Sequence, residues 1–196
     1  MLPSGKMPYE VFIPAYRDEI LSDTVMVYGN VDEVELVLNG KTIRRQTADK
    51  GPDSDYIPVP NGGNGKNLHF PPFTFYGVPK ERGVLKAVGY HQGKKVAEYT
   101  VKTPGVPERL DITYFESGKP ATKNDLLIVY VRMLDKQGVL CPVNGIPVEL
   151  SVQGGEIVGP TSYPLEAGVA SFLVRTGEIS KINIRATSKE FSTYKK

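Results

Sequence analysis

Tryptophan is absent from the chain, cysteine occurs once and histidine twice in 196 residues. Each shortage excludes something. Cys141 alone forms neither an intrachain disulfide nor a zinc site, and Pro142 beside it marks a strand edge or a turn. The plain reading of that thiol is a small buried hydrophobe. The longest apolar run, Leu126 to Val131, is six residues, against roughly 20 for a helix that spans a bilayer, so no membrane span is expected. Blocks of like charge are also missing: 24 Lys and Arg are interleaved with 22 Asp and Glu for a net charge of +2. Arg44-Arg45 and Lys195-Lys196 are too small to track a phosphate backbone, which argues against a nucleic-acid partner. The opening Leu2-Pro3-Ser4-Gly5-Lys6 has no apolar segment of the signal-peptide kind. Two readings follow from that: an intracellular protein, or a piece of a longer one.

What is present is strand pattern. Apolar residues make up 40% of the chain, with eleven Tyr and seven Phe, enough to build packed cores and too much for a disordered chain. Helical periodicity is almost missing, and period-two alternation recurs. Val34, Leu36 and Leu38 fall on one face of a strand, Asn39-Gly40 follows as a two-residue hairpin signal, and Lys41–Arg44 reads as the return. Thr24–Tyr28, Phe73–Tyr76, Val84–Tyr90 and Lys95–Val101 are further strands. Residues 47–67 are a long polar loop rich in Asp, Asn and Gly, of a length that tends to be functional or mobile. Thr103-Pro104-Gly105-Val106-Pro107 ends one pattern and stiffens a connector. The alternation then restarts at Leu110, Ile112 and Tyr114. It continues through Leu127–Met133, a turn at Asp135–Gly138, Pro147–Val152, Gly168–Arg175 and Lys181–Ala186. Connections are too short for the helices of a parallel sheet, and no internal repeat is visible. The expected fold is all-β: two tandem antiparallel immunoglobulin-like β-sandwiches, residues 1–104 and 105–196, each near the ~100-residue size of such domains.

The stretch Val25–Lys41, VMVYGNVDEVELVLNGK, resembles the first post-barrel sandwich of bacterial glycoside hydrolase family 2 enzymes, the β-galactosidase-like group common in gut Bacteroidetes. The resemblance continues through Pro71–Phe75, Gly83–Tyr90, Gly93–Glu98 and Val101–Gly105. The second half is similar to the next module of those enzymes, a bacterial immunoglobulin-like domain, at Asp125–Val131, Asp135–Gly138, Gly155–Gly159, Gly168–Ala170 and Ile182–Ser188. Two places depart from the pattern: the 47–67 loop is long, and the stretch between Gly159 and Gly168 is short. The family's acid/base and nucleophile glutamates lie in a (β/α)₈ barrel, and no such segment is present here. The resemblance therefore implies an accessory region of a retaining β-glycosidase, with the parent's catalytic barrel as partner and a periplasmic or extracellular location.

Retaining glycosidases need two carboxyl groups ~5–5.5 Å apart. Asp32, Glu33 and Glu35 are clustered, but alternation puts Glu33 and Glu35 on the solvent face of a strand, where charge guards a sheet against aggregation. Ser54, His69 and Asp55 make a triad only on paper, without a G-x-S-x-G elbow, and His69 and His91 alone make no metal site. Asp49, Asp53 and Asp55 carry the oxygen ligands calcium prefers, but the glutamate and fixed glycine spacing of an EF-hand are lacking, and turn residues of a solvated loop are the better reading. Exposed rings that could stack on a sugar are Tyr16, Tyr56 and Tyr76; Tyr56, inside the long loop, is the ligand-binding candidate. The expected catalytic, cofactor and metal assignments are none.

Three functions compete. The leading one is a non-catalytic accessory region of a family 2 glycoside hydrolase that supports the enzyme and shapes substrate access. The alternative is a stand-alone carbohydrate-binding or cell-surface adhesion module with a glycan as its partner. An independent hydrolase comes last, for want of a constellation.

Overall fold

Every regular element among the residues that the computed structural model describes (8–14, 23–49, 71–114, 121–178, 181–189 and 191–195) is a β-strand. The chain divides into two units, residues 1–103 and 104–196. The first holds β1 (Val11–Phe12), β2 (Val25–Gly29), β3 (Glu33–Leu38), β4 (Lys41–Thr47), β5 (Phe73–Phe75), β6 (Val84–His91) and β7 (Lys94–Lys102). They pair antiparallel into a three-stranded sheet, β1-β2-β5, and a four-stranded one, β4-β3-β6-β7. Between the sheets Val25, Val27, Phe73 and Phe75 meet Val34, Leu36, Leu38, Leu85 and Ala87. Burying each of the larger side chains stabilises the unit by roughly 1.5–3 kcal/mol. β3 follows its alternation, with Val34, Leu36 and Leu38 buried and Glu33, Glu35 and Val37 half-buried on the outer face. Asn39 and Gly40 adopt φ of 50° and 81°, the left-handed pair that a type I′ hairpin demands.

β4 runs past the expected Arg44 to Thr47, and its polar residues are not all outward. Arg44 and Gln46 lie opposite Leu36 and Val34 across the β3–β4 ladder, which points them to the inner side. There Arg44 Nη2 donates to the Tyr76 carbonyl at 3.1 Å and Gln46 Nε2 to the Thr74 carbonyl at 2.9 Å. Asp49 accepts from Thr74 N at 3.0 Å and from Thr74 Oγ1 at 2.6 Å. Three side chains thus occupy the backbone groups of edge strand β5 and its end, groups that would otherwise recruit another strand.

The second unit holds β8 (Arg109–Tyr114), β9 (Leu126–Leu134), β10 (Pro147–Gln153), β11 (Gly155–Ile157), β12 (Ser162–Pro164), β13 (Val169–Thr176), β14 (Asn183–Thr187) and β15 (Ser192–Lys195). The sheets β11-β13-β9-β8 and β12-β10-β14-β15 are again antiparallel. Leu110, Ile112, Val129, Val131, Met133, Phe172 and Val174 face Val148, Leu150, Ile184 and Ala186 in the core. β13 and β14 start one and two residues later than alternation alone places them. The carboxylate of Asp135, 1% exposed, accepts from Gly105 N at 2.7 Å, Gln137 N at 2.9 Å and Val139 N at 2.8 Å. Burial alone would raise its pKa; the N–H groups of Gly105, Val139, Gln137 and Gly138 outweigh this and hold it below the ordinary value. Beside it Cys141 is 2% exposed. Burial, and then the Asp135 charge, push its thiol up, so it is packing material and no nucleophile.

Candidate functional site

The stretch Val25–Lys41 carries the most distinctive sequence, and its polar residues spend themselves on neighbouring backbone. Asn30 donates through Nδ2 to the Pro8 carbonyl at 2.8 Å and accepts from Glu10 N at 2.7 Å, clamping the segment that leads into β1. Gly29 lies under the same segment, where a Cβ would sit 2.7 Å from the Glu10 oxygen. Asp32 accepts from Gln92 N at 2.8 Å and fixes the β6–β7 hairpin. Asn39 donates to the Arg82 carbonyl at 3.1 Å and accepts from Val84 N at 2.9 Å, setting the start of β6. The motif is a set of clips that hold three other segments against β2 and β3.

The outer face of the β4-β3-β6-β7 sheet gathers the reactive side chains. Glu35 accepts from Thr42 Oγ1 and from Tyr90 Oη, both at 2.6 Å. Arg45 pairs with Glu33 at 2.6 Å and lays its guanidinium 3.7 Å from the Tyr90 ring centroid. At the hairpin end His91 Nδ1 lies 3.1 Å from Asp32 Oδ1, and its ring stacks on Tyr9 with centroids 4.6 Å apart. The hydroxyls of Thr42 and Tyr90 hold the Glu35 carboxyl below its ordinary range, and Glu35 pushes the Tyr90 phenol up. Asp32 is lowered by the Gln92 N–H and then by His91. A glycosidic general acid needs the opposite shift, a carboxyl kept protonated near neutrality. The groups around Glu35 and Asp32 favour their charged forms, and each oxygen of these two carboxylates has a partner: Thr42 and Tyr90 for Glu35, His91 and Gln92 for Asp32.

The other sequence candidates fall apart or fall outside. Tyr16, Ser54, Asp53, Asp55, Tyr56 and His69 lie outside the described residues, and with them the paper triad, most of the calcium set and the Tyr56 ligand candidate. Asp49, the described member of the calcium set, is committed to Thr74. Tyr76 is half-buried with its carbonyl taken by Arg44. Among the described residues no group of three or more His, Cys, Asp or Glu is placed to hold a metal ion. Tyr9, Arg45 and Tyr90 were not singled out by pattern. The register β4-β3-β6 brings Arg45 and Tyr90 to either side of β3, which no local sequence signal encodes.

Residues 22–97 match a family described as a domain of unknown function, DUF4982. The chain is 30% identical over 189 residues to a β-galactosidase of Thermoanaerobacter pseudethanolicus, covering 90% of this chain and 23% of that protein. It is 32% identical over 133 residues to β-galactosidase BoGH2A of Bacteroides ovatus, covering 67% and 13%. With a β-galactosidase of Rhizobium radiobacter it shares 30% identity over 127 residues, 64% of this chain and 91% of that protein. The chain thus spans less than a quarter of the length of the first two relatives. Its fold is that of part of a β-glycosidase from Bacteroides vulgatus, with a TM-score of 0.75 at 16% identity over 97% of this chain and 24% of the other. A β-glucuronidase from glycoside hydrolase family 2 gives a TM-score of 0.73 at 21% identity, over 96% and 20%.

Proposed function

The chain belongs to the accessory β-sandwich regions of bacterial β-galactosidase-like enzymes of glycoside hydrolase family 2, and from that premise we propose that it supports the catalytic barrel of a retaining β-glycosidase and shapes which glycans reach it. The parent's chemistry resides in the barrel, its substrate class is a β-galactoside, and it works in the periplasm or outside the cell. One observation carries the non-catalytic part of this reading. Glu33, Glu35 and Asp32, the clustered carboxylates of the first sandwich, are each tied to a protein partner, so none is poised to protonate a leaving group.

The test is a comparison of the parent enzyme with and without residues 1–196. Removal is expected to lower its melting temperature and to change kcat/KM for oligosaccharides more than for an aryl β-galactoside. Identical melting and identical substrate ratios would overturn the supporting and shaping role. The rival reading, a stand-alone glycan-binding module, predicts that the isolated chain binds galactose or lactose with micromolar affinity in calorimetry.

A further inference from the structure

Two outward faces of the first sandwich differ in chemistry. On the four-stranded sheet the outer face is charged, with the pairs Arg45–Glu33 and Lys86–Glu98. On the three-stranded sheet Phe12, its ring edge-on to Tyr99 of β7 with centroids 4.9 Å apart, faces Tyr28 across the β1–β2 ladder, and Met26 lies two residues along β2 on the same face. Phe12 is 48%, Tyr28 40% and Met26 38% exposed. A sandwich solvated on both sides turns polar residues outward on both. Aromatic residues and methionine are instead what the buried centre of a protein interface collects, and methionine repacks readily against a partner.

We infer that this Phe12–Tyr28–Met26 face docks on an apolar surface of the remainder of the parent polypeptide, an inference that rests on the accessory-region reading above. About three quarters of the Thermoanaerobacter relative lies outside the matched part, which covers 23% of it. A covalently linked partner of that size is present at high effective concentration.

Thiol accessibility tests it without disturbing the core. Met26→Cys and Tyr28→Cys are made in the 196-residue chain and in the parent enzyme, with Thr100→Cys on β7, exposed, as control. Cys141, 2% exposed, contributes little background. Labelling by a maleimide is read peptide by peptide in the mass spectrometer, after circular dichroism has shown each variant folded. The expected result is rapid labelling at positions 26 and 28 in the chain alone, labelling at least ~10-fold slower in the parent, and no slowing at position 100. Equal rates in chain and parent would overturn the docking face, as would equal slowing at position 100. Slow labelling in the chain alone would also overturn it, since the face would then be covered by this chain itself or by a second copy. Failure of the underlying reading shows separately: the native protein, detected by mass, would be no larger than 21.5 kDa.

Discussion

The hydroxyl of Tyr90 donates a 2.6 Å hydrogen bond to Glu35, a residue 55 positions away in sequence. That bond, with the Arg45 guanidinium lying over the phenol ring, turns a surface carboxylate into part of the sheet. Tyr90→Phe is expected to cost about 0.5–1 kcal/mol in urea denaturation, at the low end for a hydrogen bond to a charged group because the pair is half open to solvent. The Glu35 pKa should rise toward the ordinary value, as followed by NMR titration. An unchanged Glu35 titration would show the bond to be absent in solution.

Asp135 ties the entry of the second sandwich to the turn after β9. Asp135→Ala leaves the N–H groups of Gly105, Gln137 and Val139 without their acceptor and is expected to cost about 1–3 kcal/mol. The sign of its pH dependence follows from the shift. Folding holds this carboxyl below the ~3.9 of an unfolded aspartate, so its contribution is complete above that value and is lost as pH falls through the folded pKa. Acid unfolding curves of Asp135→Asn should therefore be flatter below pH ~4 than those of the native chain. Parallel curves would contradict the assignment.

Asn39 has two duties, a left-handed turn position and the clip on Arg82 and Val84. Asn39→Ala should lose about 2–3 kcal/mol, from the strained turn and the bonds together. Asn39→Gly restores the backbone freedom but not the clip, and should lose distinctly less. Equal losses in chemical denaturation would mean that one of the two duties is not performed.

Asp49, Gln46 and Arg44 guard the edge of β5. Asp49→Ala is expected to leave the folded core intact by circular dichroism while light scattering shows faster association on warming, because the Thr74 N–H becomes available to another strand. A variant that stays as monodisperse as the native chain would remove the guarding role.

Strands whose alternation runs five residues or more were legible in the sequence, and the Asn39-Gly40 hairpin most of all. β1 was not, since Val11-Phe12 is too short to show a period. β11 and β12, of three residues each, and β15, of four, are also brief. Phe73–Phe75 reads as a strand from its residue types, although its period is hidden because all three residues are buried, Thr74 included, its hydroxyl satisfied by Asp49. The inward turn of Arg44 and Gln46 contradicts simple polarity and follows from carbonyls on a different sheet, together with a register shift between Leu36 and Val37. The outer face of Glu33 and Glu35 could be read from alternation alone. Their partners could not: Tyr90 reaches Glu35 only through the long-range pairing of β3 with β6, and the β3–β4 register decides that Arg45 meets Glu33.

The most direct measurement is turnover by the isolated 196-residue chain. It is assayed at high protein concentration against aryl β-galactosides and aryl β-glucuronides, beside Glu33→Gln and Glu35→Gln variants. The account predicts no hydrolysis above the buffer rate in any of the three proteins. Hydrolysis by the native chain that either glutamine variant abolishes would contradict it.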